Sequence, residues 1–113
     1  MLPSGMRVLV CTAPQDMRKS FDTLAAVVST QLGESPTNGT LYVFFGRGAR
    51  RVKVLWWDAN GYCLLAKRLH RALFVVPRAG QAQAVQLDGA ALGQLLRGVS
   101  KEVRKRQLPA QLH

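Results

Sequence analysis

The residue order predicts an α+β domain: a mainly antiparallel sheet of about five strands with a central hairpin, covered on one face by two helices. Three observations carry this expectation. Apolar Met17, Phe21, Leu24, Ala25, Val28 and Leu32 recur three or four apart, as on the buried side of a helix. Two β-rich runs, Arg51–Asp58 and 62–69, flank Asn60-Gly61, a strong hairpin signal. The order strand, helix, consecutive strands, helix then separates the two kinds of element, as α+β domains do.

Taken in order, residues 6–11 form a β-branched strand, broken by 12–15 around Pro14. The first helix follows, with Asp16 as its N-cap and Gly33 as its stop. Its apolar residues, Met17 and Phe21 included, read as core rather than as a cofactor contact. A turn-rich loop (34–39) leads to the strand Leu41–Phe45, and 46–50 turns the chain into the hairpin. Beyond it, 73–76 reads as a short edge strand ending at Pro77, and 78–83 as a loop. Ala84–Leu87 is a last strand, and Gly89–Arg97 a helix between the cap Asp88 and the stop Gly98, burying Leu92, Leu95 and Leu96. The chain is expected to be one domain over 1–113, with a flexible basic tail from about residue 99. Residues 101–106 in that tail carry four cations against Glu102, either a solvated end or a phosphate-binding arm.

Side chains alternate along a strand, so the hairpin predicts two faces. With a two-residue Asn60-Gly61 turn, Lys53 opposes Arg68 and Arg51 opposes His70. One face then carries Arg51, Lys53, Leu55, Trp57, Leu64, Ala66, Arg68 and His70. The other carries Val52, Val54, Trp56, Cys63, Leu65 and Leu69 toward the core, interrupted by Lys67. A four-residue turn keeps these faces, whereas a three-residue turn exchanges the partners by one and brings Lys67 into line with the other cations.

Charge narrows the function classes. Sixteen Lys and Arg against six Asp and Glu leave a net charge of +10, a field that attracts polyanions. The short apolar run at the N-terminus contains Arg7, and nothing later approaches the length of a membrane span, so a cytoplasmic protein without membrane contact is expected. Cys11 and Cys63 form no CxxC and suit buried thiols better than a disulfide framework, though their spacing leaves pairing open.

Catalysis finds little support. Asp16 and Asp88 fit helix caps, Asp22 lies within a helix, and Asp58 precedes the hairpin turn, so each has a local structural explanation apart from a catalytic metal cluster. His70 has no sequence-local nucleophile or metal-ligand partner, and Gly46-Arg47-Gly48 lacks the Lys and Ser or Thr of a phosphate-cradling loop. No catalytic residue, metal or cofactor is expected. The cations Arg47, Arg50, Arg51, Lys53, Lys67, Arg68 and Arg71 fall within one hairpin and its approaches, as a phosphate-binding surface would require. Arg18 and Lys19, at the start of the first helix, are either a solvated helix face or a secondary anion contact placed against the helix dipole. Trp57 stacks on a base or packs beneath a helix or partner, and Tyr62 lies near it.

Three segments, CTAPQDMRKSFDTLA (11–25), GTLYVFFGR (39–47) and RRVKVLWWDANGYCLLAKRL (50–69), resemble in order and spacing the accessory proteins of insertion-sequence-66 transposons, often labelled TnpB. The resemblance runs more weakly through Leu95-Leu96-Arg97-Gly98. It implies an accessory to transposition, encoded beside a separate transposase. The chain departs from that pattern at Val76, where an aromatic residue is expected before Pro77, and at Arg50, where a polar or acidic residue is common. Two functions follow: binding of nucleic acid, DNA at the transposon ends above all, by the basic hairpin, or adaptor docking on the transposase through Trp57, Tyr62 and nearby apolar residues.

Overall fold

Strands whose apolar residues fall at both parities must be covered on both faces, and the two central strands of this protein are built that way. The computed structural model describes residues 5–105. In chain order it contains β1 (Val8–Cys11), α1 (Phe21–Gln31), β2 (Leu41–Phe45), a short 3-10 turn (Arg47–Ala49), β3 (Arg51–Asp58), β4 (Gly61–Arg68), β5 (Ala84–Leu87) and α2 (Gly89–Arg97). The five strands make one sheet in the order β4-β3-β2-β1-β5. β1 and β2, joined through α1, run parallel, and every other neighbouring pair is antiparallel.

The α+β class and the five-strand sheet are as the sequence predicts. The helices, however, divide between the two faces instead of sharing one. Leu24, Val27 and Val28 of α1 pack with Leu9, Cys11, Tyr42, Phe44 and Leu55. On the other side Leu92 of α2, with Leu95 and Leu96, packs with Val8, Val10, Val43, Val54 and Trp56. All four residues of β1 and all five of β2 are buried, which is why one covered face is not enough. Cys11 belongs to the α1 side and Cys63 packs on the α2 side; both thiols are free. The sheet between them rules out a bridge within the chain.

α2 has the expected bounds: the Asp88 carboxylate accepts from the Ala91 N–H at 2.7 Å, and Gly98 ends the helix at φ 73. A side chain at Gly98 would be strained by that φ and would meet Leu69 at 2.5 Å. α1 starts later than predicted. Ser20 is its N-cap, with Thr23 Oγ1 accepting from the Ser20 N–H, while Asp16 caps only the preceding turn by accepting from the Arg18 N–H at 2.9 Å. Arg18 and Lys19 therefore precede the helix instead of forming its first turn.

The hairpin register also differs. Arg51 pairs with Arg68 and Asp58 with Gly61, so the two-residue loop is Ala59-Asn60 rather than Asn60-Gly61, with Ala59 at φ 57. The offset is two residues, and both faces stay as predicted. This register sets Val54 opposite Leu65 and leaves Lys67 at the border, whereas the predicted one would place Lys67 opposite fully buried Val54. The predicted edge strand at 73–76 reduces to one bridge, Leu73 with Val99. Phe74, fully buried, makes this segment a strap over the α2 side, its N–H donating to the Ala49 carbonyl at 2.7 Å.

Candidate nucleic-acid interface

Long cationic side chains either reach solvent or are spent on backbone carbonyls, and the predicted site divides on that point. Lys53 donates to the Lys19 carbonyl at 2.6 Å and so ties β3 to the turn before α1. Lys67 donates to the Leu96 carbonyl at 2.7 Å, where a cation also suits the C-terminal end of α2. Both ammonium groups hold the fold together. Arg47, Arg50, Arg51, Arg68 and Arg71 are exposed, and none makes an ion pair among the described residues.

Those five arginines are brought to the open end of the hairpin. Arg51 and Arg68 face each other across β3 and β4, and the Leu69 N–H continues the ladder to the Arg50 carbonyl at 2.8 Å. The Phe74–Ala49 hydrogen bond holds the chain beyond Arg71 against the turn that carries Arg47. Like charges directly opposite on a sheet are destabilising, and among the described residues no carboxylate forms an ion pair with either arginine.

Met17 lies between the arginines. It lines a shallow depression of about 250 Å³ with Arg51, Lys53 and Arg68, and a second of about 580 Å³ with Asp16, Arg47 and Arg51. Gly46 makes room for it, since a Cβ there would lie 2.6 Å from Met17 Cγ. Sequence reasoning assigned Met17 to the core; its half-exposed position, outside the α1 helix it was counted with, is what places it here.

The secondary contact is differently disposed. Arg18 pairs with Asp16 at 2.6 Å, and that guanidinium holds the Asp16 carboxyl well below the usual carboxylate range. Lys19 donates to Gln15 Oε1 at 3.0 Å. Trp57 and Tyr62 meet edge to face, with ring centroids 5.0 Å apart, on the same face as Arg51 and Arg68 but at the tip of the hairpin. Six residues of strand, about 20 Å at 3.4 Å each, separate Trp57 from Arg51, so the aromatic pair and the arginines are two places on the surface.

One cation was not anticipated as part of this end. Arg104 Nε donates to the Phe74 carbonyl at 3.1 Å, which docks 99–105 beside the arginine corner, with Lys101 and Lys105 exposed. The alternation of partly buried Val99 and Val103 with cations is the signal for it. The rest of the predicted tail, from 106 onward, lies outside the described residues.

Among the described residues no three His, Cys, Asp or Glu side chains are gathered to hold a metal ion, and no helix is long and apolar enough to cross a membrane. Asp88 caps α2, Asp16 is paired with Arg18, and Asp58 closes the hairpin loop.

A small α+β protein with an exposed arginine corner at the base of its hairpin is the class that fold and surface define. A family profile described as "IS66 Orf2 like protein" matches residues 6–106. The chain is 44% identical over 101 residues to y4hO of Sinorhizobium fredii, an uncharacterized protein, covering 88% of this chain and 87% of that one. It is 33% identical over 73 residues to y4jC of the same organism, also uncharacterized, covering 65% and 62%. No solved structure matches. The chain belongs to the IS66 Orf2-like family, accessory proteins of insertion sequences that take part in transposition.

Proposed function

We propose that this protein assists a separate transposase by binding nucleic acid, DNA at the ends of the element, through the arginine corner of its β-hairpin. It does so in the cytoplasm, without catalytic chemistry or a cofactor of its own. The observation that carries this reading is the contrast within the basic set. Lys53 and Lys67 are engaged by backbone carbonyls, while Arg47, Arg50, Arg51, Arg68 and Arg71 stand exposed and without carboxylate partners among the described residues. Guanidinium groups so placed suit bidentate contact with phosphate oxygens.

The half-exposed Trp57–Tyr62 pair favours a second reading, in which the hairpin tip docks on the transposase and positive charge only steers the encounter. A titration against terminal-repeat DNA, unrelated DNA and purified transposase, each at two salt concentrations, separates the two. Five phosphate contacts give a slope of log affinity against log salt of about −4.5 on both DNAs. A flat response removes the first reading. A stable complex with transposase alone, weakened by Trp57→Ala, establishes the second.

A further inference from the structure

A sheet that ends in a strand leaves a row of backbone donors and acceptors unpaired, and the two ends of this sheet are treated differently. β5, at one end, is four residues long. β4, at the other, has eight residues, pairs with β3 without a bulge, contains no proline and carries no charge from Gly61 to Ala66. Bulge, proline and charge, three of the usual devices that protect a strand edge, are absent over those six residues.

The direction of the free groups follows from the register. The Leu69 N–H donates to the Arg50 carbonyl, so alternate pairs along the ladder, Val52 with Lys67, Val54 with Leu65 and Trp56 with Cys63, are the hydrogen-bonded ones. Tyr62, Leu64, Ala66 and Arg68 therefore turn their N–H and C=O groups outward. On β3 Val54, Leu55 and Trp56 are buried, whereas on β4 Tyr62, Cys63, Leu64 and Leu65 are half-exposed.

We infer that β4 pairs antiparallel with β4 of a second copy of this chain, about a dyad at Leu65. The distribution of charge sets the direction: an uncharged run closed by cations at one end only is self-complementary when a second copy runs antiparallel to it. Both cations lie at one end of the strand, so parallel pairing would stack Lys67 on Lys67 and Arg68 on Arg68. Antiparallel pairing about Leu65 sets Arg68 opposite the other copy's Tyr62, Lys67 opposite Cys63 and Leu64 opposite Ala66. All four outward residues are then used, with about eight inter-strand hydrogen bonds. A dyad at Leu64 would engage only three of them. The side chains of Leu65 meet across the axis at a non-hydrogen-bonded site, the closer of the two kinds of pair. The result is a ten-stranded sheet carrying two arginine corners on one face.

Sedimentation equilibrium of the full chain tests this. The mass should rise with concentration from 12.4 kDa toward twice that value. Added salt should promote the association, since each copy carries +10, opposite in sign to the salt response of nucleic-acid binding. Ala66→Pro removes an outward donor and no β3–β4 hydrogen bond, so it should keep the circular dichroism spectrum and remain at 12.4 kDa. In a Cys63→Ser background, Leu65→Cys should form a covalent dimer under copper–phenanthroline, because the paired Cα atoms lie about 4.5 Å apart, within disulfide reach. Leu64→Cys, whose copies are only diagonal neighbours, should not. A wild-type chain that stays monomeric up to about 100 µM overturns the inference, as does equal cross-linking at both positions. Pairing of this edge with an extended segment of the transposase, in place of a second copy, also overturns it.

Discussion

Removing Arg51 and Arg68 should strengthen the fold while weakening nucleic-acid binding, a combination that a purely structural pair of residues would not give. The two side chains face each other across β3 and β4, and neither is ion-paired among the described residues. Guanidinium groups about 8 Å apart in water repel by roughly 0.5 kcal/mol, reduced to about 0.2 kcal/mol by physiological salt. Arg51→Ala with Arg68→Ala should therefore leave the melting temperature unchanged or raise it by a degree or two. If each arginine neutralises one phosphate, the salt slope should fall from about −4.5 to about −2.7, and affinity near 0.1 M salt should drop about 60-fold. Fluorescence anisotropy of a labelled duplex over a salt series measures the slope, and thermal unfolding followed by circular dichroism measures the fold. An unchanged slope would refute the reasoning, and so would a loss of affinity accompanied by a lower melting temperature. Lys53→Met is the internal control: it loses its hydrogen bond to the Lys19 carbonyl and should destabilise without changing the slope.

Other expectations follow from the same geometry. Lys67→Met leaves the Leu96 carbonyl at the end of α2 without its charged donor, and should lower stability by about 1 kcal/mol in a denaturant titration while the salt slope stays the same. Ala59→Gly relieves the φ of 57 in the hairpin loop and should stabilise by about 1 kcal/mol, read as a higher denaturation midpoint with unchanged m-value. Acid should loosen the link between β1 and the loop after α1. The Glu34 carboxyl is lowered from 4.5 to about 2, first by its hydrogen bond from Arg7 and then by those from Tyr42 and Asn38. A lowered folded value contributes stability above pH 4.5 and loses it as pH falls through about 2. Because Arg7 is 40% exposed, the solvent-screened contribution is about 1 kcal/mol, and Glu34→Gln should flatten the stability–pH profile in that window.

Local chemistry was read well where one signal stood without a competitor. Asp88 and Gly98 bound α2 as capping rules require, and the β-branched run at 84–87 is a strand. The start of α1 was misplaced because Asp16 and Ser20 are both good caps and Met17 continues the helical period; the turn closed by Asp16 takes up the first four residues. Asn60-Gly61 marked the hairpin but not its loop, since the register is decided by keeping Lys67 away from buried Val54, a tertiary constraint. The split of the helices was visible in the doubly apolar strands β1 and β2, where no polar residue interrupts either parity. In the candidate site, pattern alone grouped seven cations. That Lys53 and Lys67 are held by carbonyls of distant segments depends on where flexible stems end, which spacing does not encode.

The position of β1 between β2 and β5 also shapes how the chain matures on the ribosome. Its outer side pairs with residues 84–87, the last of the five described strands to be made, and a nascent chain at about 5–20 residues per second leaves Val8–Cys11 half-matched for several seconds. Prematurely ended products that stop before residue 84 would carry that entirely apolar strand as an open template, and are the species that proteolysis or chaperones must clear.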